Sequence, residues 1–276
     1  MKRIPALLLA LTLSLSACGD GASTGQGGEL SGGVTALGST SMERVMGVLA
    51  EQFGIDHDGV MVSVEGGGSG AGVEAAAVGA ADIGLSSRRL KDSERAKGLT
   101  ETLLALDGIA VIVHADNPVS ELTVEQIAAI YIGESVNWVQ VGGQDGAVAC
   151  VGREAGSGTR EGFESITKTE DACLLHQELT STGAVVEAVR GNAQANGYAS
   201  LASVEGQEGI KAITVDGVVC SEETVRDGSY AIQRPFVLVT GDVAALSPQA
   251  RAFFDWATSP AAAELIRAAG AVPVVE

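Results

Sequence analysis

The chain has 276 residues, with 17 basic and 35 acidic side chains and a formal net charge of −18. So acidic a surface argues against nucleic acid or anionic lipid headgroups as the partner. It does not forbid a small anionic ligand, because N–H groups and hydroxyls in a closed cleft act at short range while diffuse surface charge is screened. With 3 histidines, 4 cysteines and no CxxC pair, the composition offers little for a metal, and neither metal nor cofactor is expected.

The elements follow in chain order. Met1-Lys2-Arg3, an apolar run from Ile4 to Leu15 and small residues up to Ala17 read as an export signal, too short to remain as a membrane-spanning helix. Leu15-Ser16-Ala17-Cys18 resembles a bacterial lipobox, which predicts cleavage after residue 17 and lipidation of Cys18, with residues 18–33 as a flexible Gly/Ser-rich tether. The expected location is outside the cytoplasm, anchored to the cell membrane and facing the periplasm or the exterior. Val34 to Leu37 reads as a buried strand that runs through Gly38-Ser39-Thr40-Ser41 into a helix, with Val45, Met46, Leu49 and Phe53 as its apolar stripe and Thr40 and Glu43 as a capping box. The alternation Val60, Val62, Val64 predicts a strand, and Gly66 to Gly70 opens an Ala-rich helix over Ala71 to Val78. Ala81 to Leu85 is a further strand, ending in Ser86-Ser87-Arg88, and Gly108 to His114 is a dense apolar strand.

Thr123 to Tyr131 reads as a helix with its own cap. Val148 to Gly152 reads as a strand that passes through Arg153-Glu154-Ala155-Gly156-Ser157-Gly158-Thr159 into another helix. A helix around Val185 to Val189 and strands near Gly197 to Ser200, Ile210 to Val215 and Pro235 to Val239 follow. Ser247-Pro248 and Ser259-Pro260 start the last two helices. The class is α/β, with mostly parallel sheets flanked by helices. Among Cys150, Cys173 and Cys220, one disulfide is expected in an oxidising compartment. Cys150 with Cys173 closes a short loop and is the candidate pair, with either pairing to Cys220 still open.

Three strand–loop–helix junctions share one composition: Ser39 to Ser41, Gly68 to Gly70 and Gly156 to Thr159. A helix N-terminus carries unpaired N–H groups and a positive partial charge, and glycine lets the backbone approach a ligand closely, so such loops are anion cradles. Arg153, just ahead of the third loop, suits an oxyanion through two parallel hydrogen bonds. Asp82 suits a different task. A carboxylate repels a fully ionised anion but accepts a hydrogen bond from one that keeps a proton, so it would favour phosphate over sulfate.

These phrases, together with Gly197-Tyr198-Ala199-Ser200-Leu201 and Arg234-Pro235-Phe236, resemble the solute-binding proteins of phosphate-specific ABC transporters, in order from about Val34 to Pro273. The resemblance implies a two-lobed type II periplasmic-binding-protein fold with two crossover segments, lobe 1 being 34–114 plus 231–276 and lobe 2 being 115–230. It implies a single cleft between the lobes in which Thr40, Ser41, Ser69, Asp82, Arg153, Ser157, Gly158 and Thr159 contact phosphate. Ser39, Gly70, Ser86 and Ser87 stand behind them as secondary candidates. Ser41 and Ala155 depart from residues that some members carry, an aromatic and an acidic side chain respectively. The implied role is capture of inorganic phosphate by a monomer and delivery to permease subunits, without enzymatic turnover. The alternatives are another oxyanion such as sulfate or molybdate, or a phosphate-sensing surface lipoprotein. An enzyme finds less support: neither serine loop fits G-x-S-x-G, no lysine follows a Gly loop as in a P-loop, and the three histidines lie apart from all the loops.

Overall fold

The structure is a computed structural model that describes residues 30–274. The expected signal peptide, Cys18 and most of the tether lie outside the described residues. The chain runs β1 (Gly32–Gly38), α1 (Glu43–Asp56), β2 (Val60–Gly66), α2 (Ser69–Val78), β3 (Ile83–Ser86), α3 (Asp92–Arg95) and the long β4 (Thr100–His114). It continues through β5 (Glu121–Leu122), α4 (Val124–Tyr131), β6 (Ala149–Arg153), α5 (Gly158–Thr167), β7 (Gln177–Leu179), α6 (Thr182–Arg190), β8 (Ala195–Ser200) and α7 (Leu201–Val204). The last part is β9 (Ile210–Ala212), β10 (Thr214–Val215), α8 (Glu222–Arg226), β11 (Gln233–Thr240), α9 (Pro248–Ala257), α10 (Ala263–Ala268) and β12 (Val272–Pro273).

The apolar stripe of α1 does what its 3.6-residue spacing predicts: Val45, Met46, Leu49 and Phe53 are all buried, and Phe53 meets Phe253 of α9 edge-on at 5.3 Å. Burying each side chain of this size contributes about 1.5–3 kcal/mol. Thr123 and Gln126 form the capping box of α4, and Ser247 caps α9 with Pro248 in its first turn. The expected Thr40–Glu43 box does not form. Met42 occupies the N-cap of α1 without a side-chain cap bond, because Thr40 Oγ1 is taken by Arg153 Nη1 and the Thr182 N–H instead.

The main sheet has the order β2-β1-β3-β11-β4-β8-β6-β7. Its two flanks are parallel: β1 pairs with β2 and β3, and β6 with β7 and β8. Its centre is antiparallel, since β11 pairs with β3 and β4, and β4 with β8, β9 and β12. The sheet is thus mixed rather than mostly parallel. The reason is that β4 and β11 are long crossing strands and not members of βαβ units.

β4 serves two cores in turn. Its first part, up to Gly108, pairs with β11, while Ile109 to Val113 pairs with β8. Val34 to Ala105 and Phe236 to Ala271 supply one core, joined by Ala202. Ile109 to Ile232 supply the other, joined by Val272. The change of core therefore falls at Gly108/Ile109 and just after Ile232, where Ile109 N–H donates to Ile232 O at 2.7 Å. Ile109 to Val113, expected with the first lobe, pack inside the second core. A small third cluster, Val73, Leu90, Leu99, Val237 and Val239, lies under α2.

The disulfide is a further correction. Cys150, Cys173 and Cys220 are free: Cys150 Sγ donates to Ile130 O at 3.6 Å and Cys173 Sγ to Thr169 Oγ1 at 3.3 Å. Burial pushes the Cys150 thiol up to about 12 and the Cys173 thiol up to about 11, which keeps both protonated and poor in thiol–disulfide exchange.

Candidate functional site

Four helix N-termini meet where the two cores approach, and each brings hydroxyl groups. β1 ends at Gly38, whose φ of +148° and closeness to the Leu85 carbonyl exclude a side chain. This tight end delivers Ser39, Thr40 and Ser41 to the start of α1, with Ser39 N–H bonded to Leu85 O at 2.9 Å. Gly38 O accepts from both Gly67 and Gly68 N–H, at 2.8 and 2.9 Å, which fixes the loop leading to Ser69 at the first turn of α2. From the other core, Ser157 caps α5, placing Gly158 and Thr159 in its first turn, and Ser181 caps α6, placing Thr182 likewise.

Six of these hydroxyls, with Ser87 from just beyond β3 as a seventh, bond to one another in two groups while nearly excluded from solvent. Ser41 Oγ lies 2.8 Å from Thr159 Oγ1 and 3.0 Å from Thr182 Oγ1, and Thr40 Oγ1 lies 3.0 Å from Thr182 Oγ1. Ser39 Oγ donates to Ser87 Oγ at 2.9 Å, and Ser69 Oγ is 3.2 Å from Ser87 Oγ. Gly158 fits against this group only because it lacks a Cβ, which would collide with Ser69 Oγ and Ser87 Oγ. Gly70 N–H reaches across to Gly156 O at 3.0 Å.

Two buried arginines flank the hydroxyls. Arg153, 1% exposed, uses Nη1 for Thr40 Oγ1 at 3.0 Å and Thr182 Oγ1 at 3.1 Å. Its Nε donates to Leu179 O, and Nη2 donates to Thr180 O and Glu154 Oε1. Its own backbone N–H donates to Tyr198 Oη. The support that an acid at Ala155 would give is supplied here by Glu154, at 2.9 Å. Arg234 donates through Nε and Nη2 to Asp107 Oδ2, at 3.1 and 2.9 Å, and through Nη1 to Ser87 Oγ at 3.0 Å. Burial pushes the Asp107 carboxyl up and the Arg234 guanidinium down, each opposed by the charge of the other. Burial also raises Glu43, against the pull of Arg153.

The direction of part of this network follows from counting. A hydroxyl has one proton and two lone pairs. Thr40 Oγ1 accepts from Arg153 Nη1 and from Thr182 N–H, so its O–H must donate to Thr182 Oγ1. That oxygen also accepts from Arg153, so Thr182 O–H must donate onward to Ser41 Oγ. The arginine charge thus orients a chain of donors toward Ser41 and Thr159, a polarity suited to an anion. Two clefts open beside the cluster. One, of about 650 Å³, is lined by Ser87, Arg88, Lys91, Gly156, Arg160 and Arg234. The other, of about 600 Å³, is lined by Thr40, Glu43, Gly70, Glu154, Thr180 and Ser181.

Of the residues expected at the site, Ser39, Thr40, Ser41, Ser69, Ser87, Arg153, Gly158 and Thr159 come together. Ser157 turns its Oγ to the Arg160 N–H as a helix cap, and Ser86 bonds the Arg88 backbone in the turn beyond β3. Asp82 is a correction. It precedes β3, five residues or roughly 16 Å of extended chain from Ser87, and its Oδ2 accepts the Thr35 N–H at 2.8 Å. Its carboxylate ties the middle of β1 to the start of β3, away from the hydroxyls that follow the strands' C-terminal ends. The sequence reading missed Thr182, although Ser181-Thr182-Gly183 repeats the Gly/Ser/Thr signature of the other loops. It also missed the Asp107–Arg234 pair, whose members are 127 residues apart.

A family model described as a PBP superfamily domain matches residues 21–261. The phosphate-binding protein PstS of Staphylococcus aureus is 29% identical over 252 residues, covering 86% of this chain and 76% of that protein. A phosphate ABC transporter substrate-binding protein from Clostridium perfringens, solved with bound phosphate, is 36% identical with a TM-score of 0.84, covering 88% of this chain and 100% of that one. An ABC-type phosphate transport receptor from Vibrio cholerae is 36% identical with a TM-score of 0.71, covering 87% and 99%. With a type II binding fold, a matching family model and relatives at this identity, the chain belongs to the PBP superfamily, in the family of phosphate-binding proteins of ABC transporters.

Proposed function

We propose that this chain captures inorganic phosphate between its two lobes and delivers it to the permease of an ABC transporter, while a lipid on Cys18 holds it at the membrane. The observation that carries the reading is the meeting of four helix N-termini, seven buried hydroxyls and two buried arginines between separate hydrophobic cores. In this reading Thr40, Ser41, Ser69, Ser87, Arg153, Thr159 and Thr182 supply side-chain donors, and Gly158 supplies a backbone N–H. Gly108–Ile109 and Ile232–Gln233, where the chain changes core, serve as the two hinge segments between lobes. The task is binding rather than turnover: the donors hold an anion, and His57, His114 and His176 take no part in the cluster.

The experiment is a calorimetric titration of the chain from residue 18 onward, stripped of ligand by unfolding and refolding. One-to-one phosphate binding supports the reading, and silence toward phosphate from a folded protein sinks it. The anchor is tested separately, since replacing Cys18 by Ala should release the protein from membranes into the soluble fraction.

A further inference from the structure

Arg234 is 4% exposed and Asp107 1%, and their pairing leaves one guanidinium nitrogen to act on the site. Asp107 Oδ2 takes Nε and Nη2, and Oδ1 accepts Ser200 Oγ at 2.7 Å. Nη1 lies 3.0 Å from Ser87 Oγ, which also accepts from Ser39 Oγ at 2.9 Å. These two donors fill both lone pairs of Ser87, so its proton must be given away, and Ser69 Oγ stands 3.2 Å off to take it. Ser69 Oγ already accepts the Ser87 N–H at 3.0 Å. Its lone pairs are then full as well, and its own O–H is committed to no acceptor among the described residues.

We infer that Arg234, clamped by Asp107, is a specificity-determining positioning residue that makes the Ser87 and Ser69 hydroxyls donors, so this side of the site treats a tetrahedral oxyanion purely as a hydrogen-bond acceptor. The inference rests on the anion-binding reading above and deepens it. Phosphate near neutral pH carries a proton and sulfate does not, and an array of donors takes no advantage of that proton. Among the carboxylates, Asp107 fits this polarity, while Glu154 and Glu43 line one cleft and are the groups that could oppose it. Asp107 is saturated by Arg234 and Ser200. Glu154 pairs with Arg153 Nη2, whereas the hydroxyls bond to Nη1. Glu154 is the rival, because its Oε2 is buried without a partner and offers an alternative place for a ligand proton.

The test is calorimetry of the refolded chain with phosphate and with sulfate at one pH and ionic strength, repeated on variants. The parent should bind sulfate no more than about tenfold more weakly than phosphate. Ser69→Ala, which leaves the ion pair intact and removes the uncommitted O–H, should weaken both anions together by roughly ten- to hundredfold, the effect of one hydrogen bond to a charged ligand. The double variant Arg234→Met/Asp107→Leu replaces the whole pair by apolar groups, a change that buried pairs often tolerate. It should weaken both anions but sulfate more, because the freed lone pair on Ser87 can now accept the proton of phosphate. A merely structural role for Arg234 would leave the ratio of the two affinities unmoved, which overturns the inference. So does a parent that binds phosphate yet excludes sulfate by more than about a thousandfold, with exclusion relaxed in Glu154→Gln, for then Glu154 holds the proton. Failure to bind either anion removes the anion site itself, and the inference with it.

Discussion

The two arginines beside the cluster are equally buried and held in opposite ways. Arg234 is locked to a single carboxylate by two nitrogens, with side chains 2% and 0% exposed, so its charge is largely neutralised where it stands. Arg153 donates to two backbone carbonyls as well as to Glu154, whose side chain is 25% exposed. Carbonyl groups satisfy a guanidinium without cancelling its charge, and a partly exposed carboxylate cancels less than a fully buried one. Arg153 therefore keeps positive charge available to a ligand, whereas Arg234 spends its charge on setting the geometry and direction of neighbouring hydroxyls. One site thus uses the same residue type once for attraction and once for orientation.

The comparison breaks most sharply at Asp107. Asp107→Ala leaves Arg234 buried and unpaired, and chemical denaturation should show a loss of about 3–5 kcal/mol. Glu154→Gln on the other arginine should cost about 1 kcal/mol or less, because the carbonyl partners remain; equal losses would show that the two corners do not differ. Arg153→Met should lower phosphate affinity by roughly a hundredfold or more, given a buried charged hydrogen-bonding group, with a smaller effect on the unfolding midpoint than Asp107→Ala. Calorimetry and denaturation on the same preparation separate these outcomes.

Smaller effects sharpen the picture. Gly158→Ala puts a methyl against Ser69 and Ser87 from across the cleft, and an overpacking strain of about 1–3 kcal/mol should appear as weaker phosphate binding, read by the same titration. Asp82→Asn should leave phosphate affinity within about twofold, since its side chain still accepts the Thr35 N–H far from the hydroxyls. A loss of tenfold or more would return Asp82 to the site. Thiol counting in denaturant without reductant should find Cys150, Cys173 and Cys220 all free, with slow alkylation in the native protein because burial keeps the thiols protonated.

Much of the site was legible because its signals are local. Ser39 to Ser41, Ser69 and Gly158-Thr159 each sit within a few residues of a helix start, and a helix start announces itself by composition. Asp82 misled for the same reason: it lies near Ser86-Ser87 in sequence, but an extended strand carries it away from them by several residue lengths. The Thr40–Glu43 capping box was a sound local pattern that lost to long-range bonds from Arg153 and Thr182.

The sequence by itself determined the strand and helix types, the Gly/Ser/Thr loops at helix starts and Arg153 as a cation beside one of them, because periodicity and capping are set by neighbours in the chain. Only the tertiary structure decided that Thr182 joins the cluster, that Glu154 supports Arg153, that the cysteines stay unpaired, and that Asp107 and Arg234 form a buried pair. Thr182 meets Thr40 and Arg234 meets Asp107 across more than a hundred residues, which only the crossing strands and the two cores can arrange, and all four outcomes depend on burial, which makes each polar group find a partner.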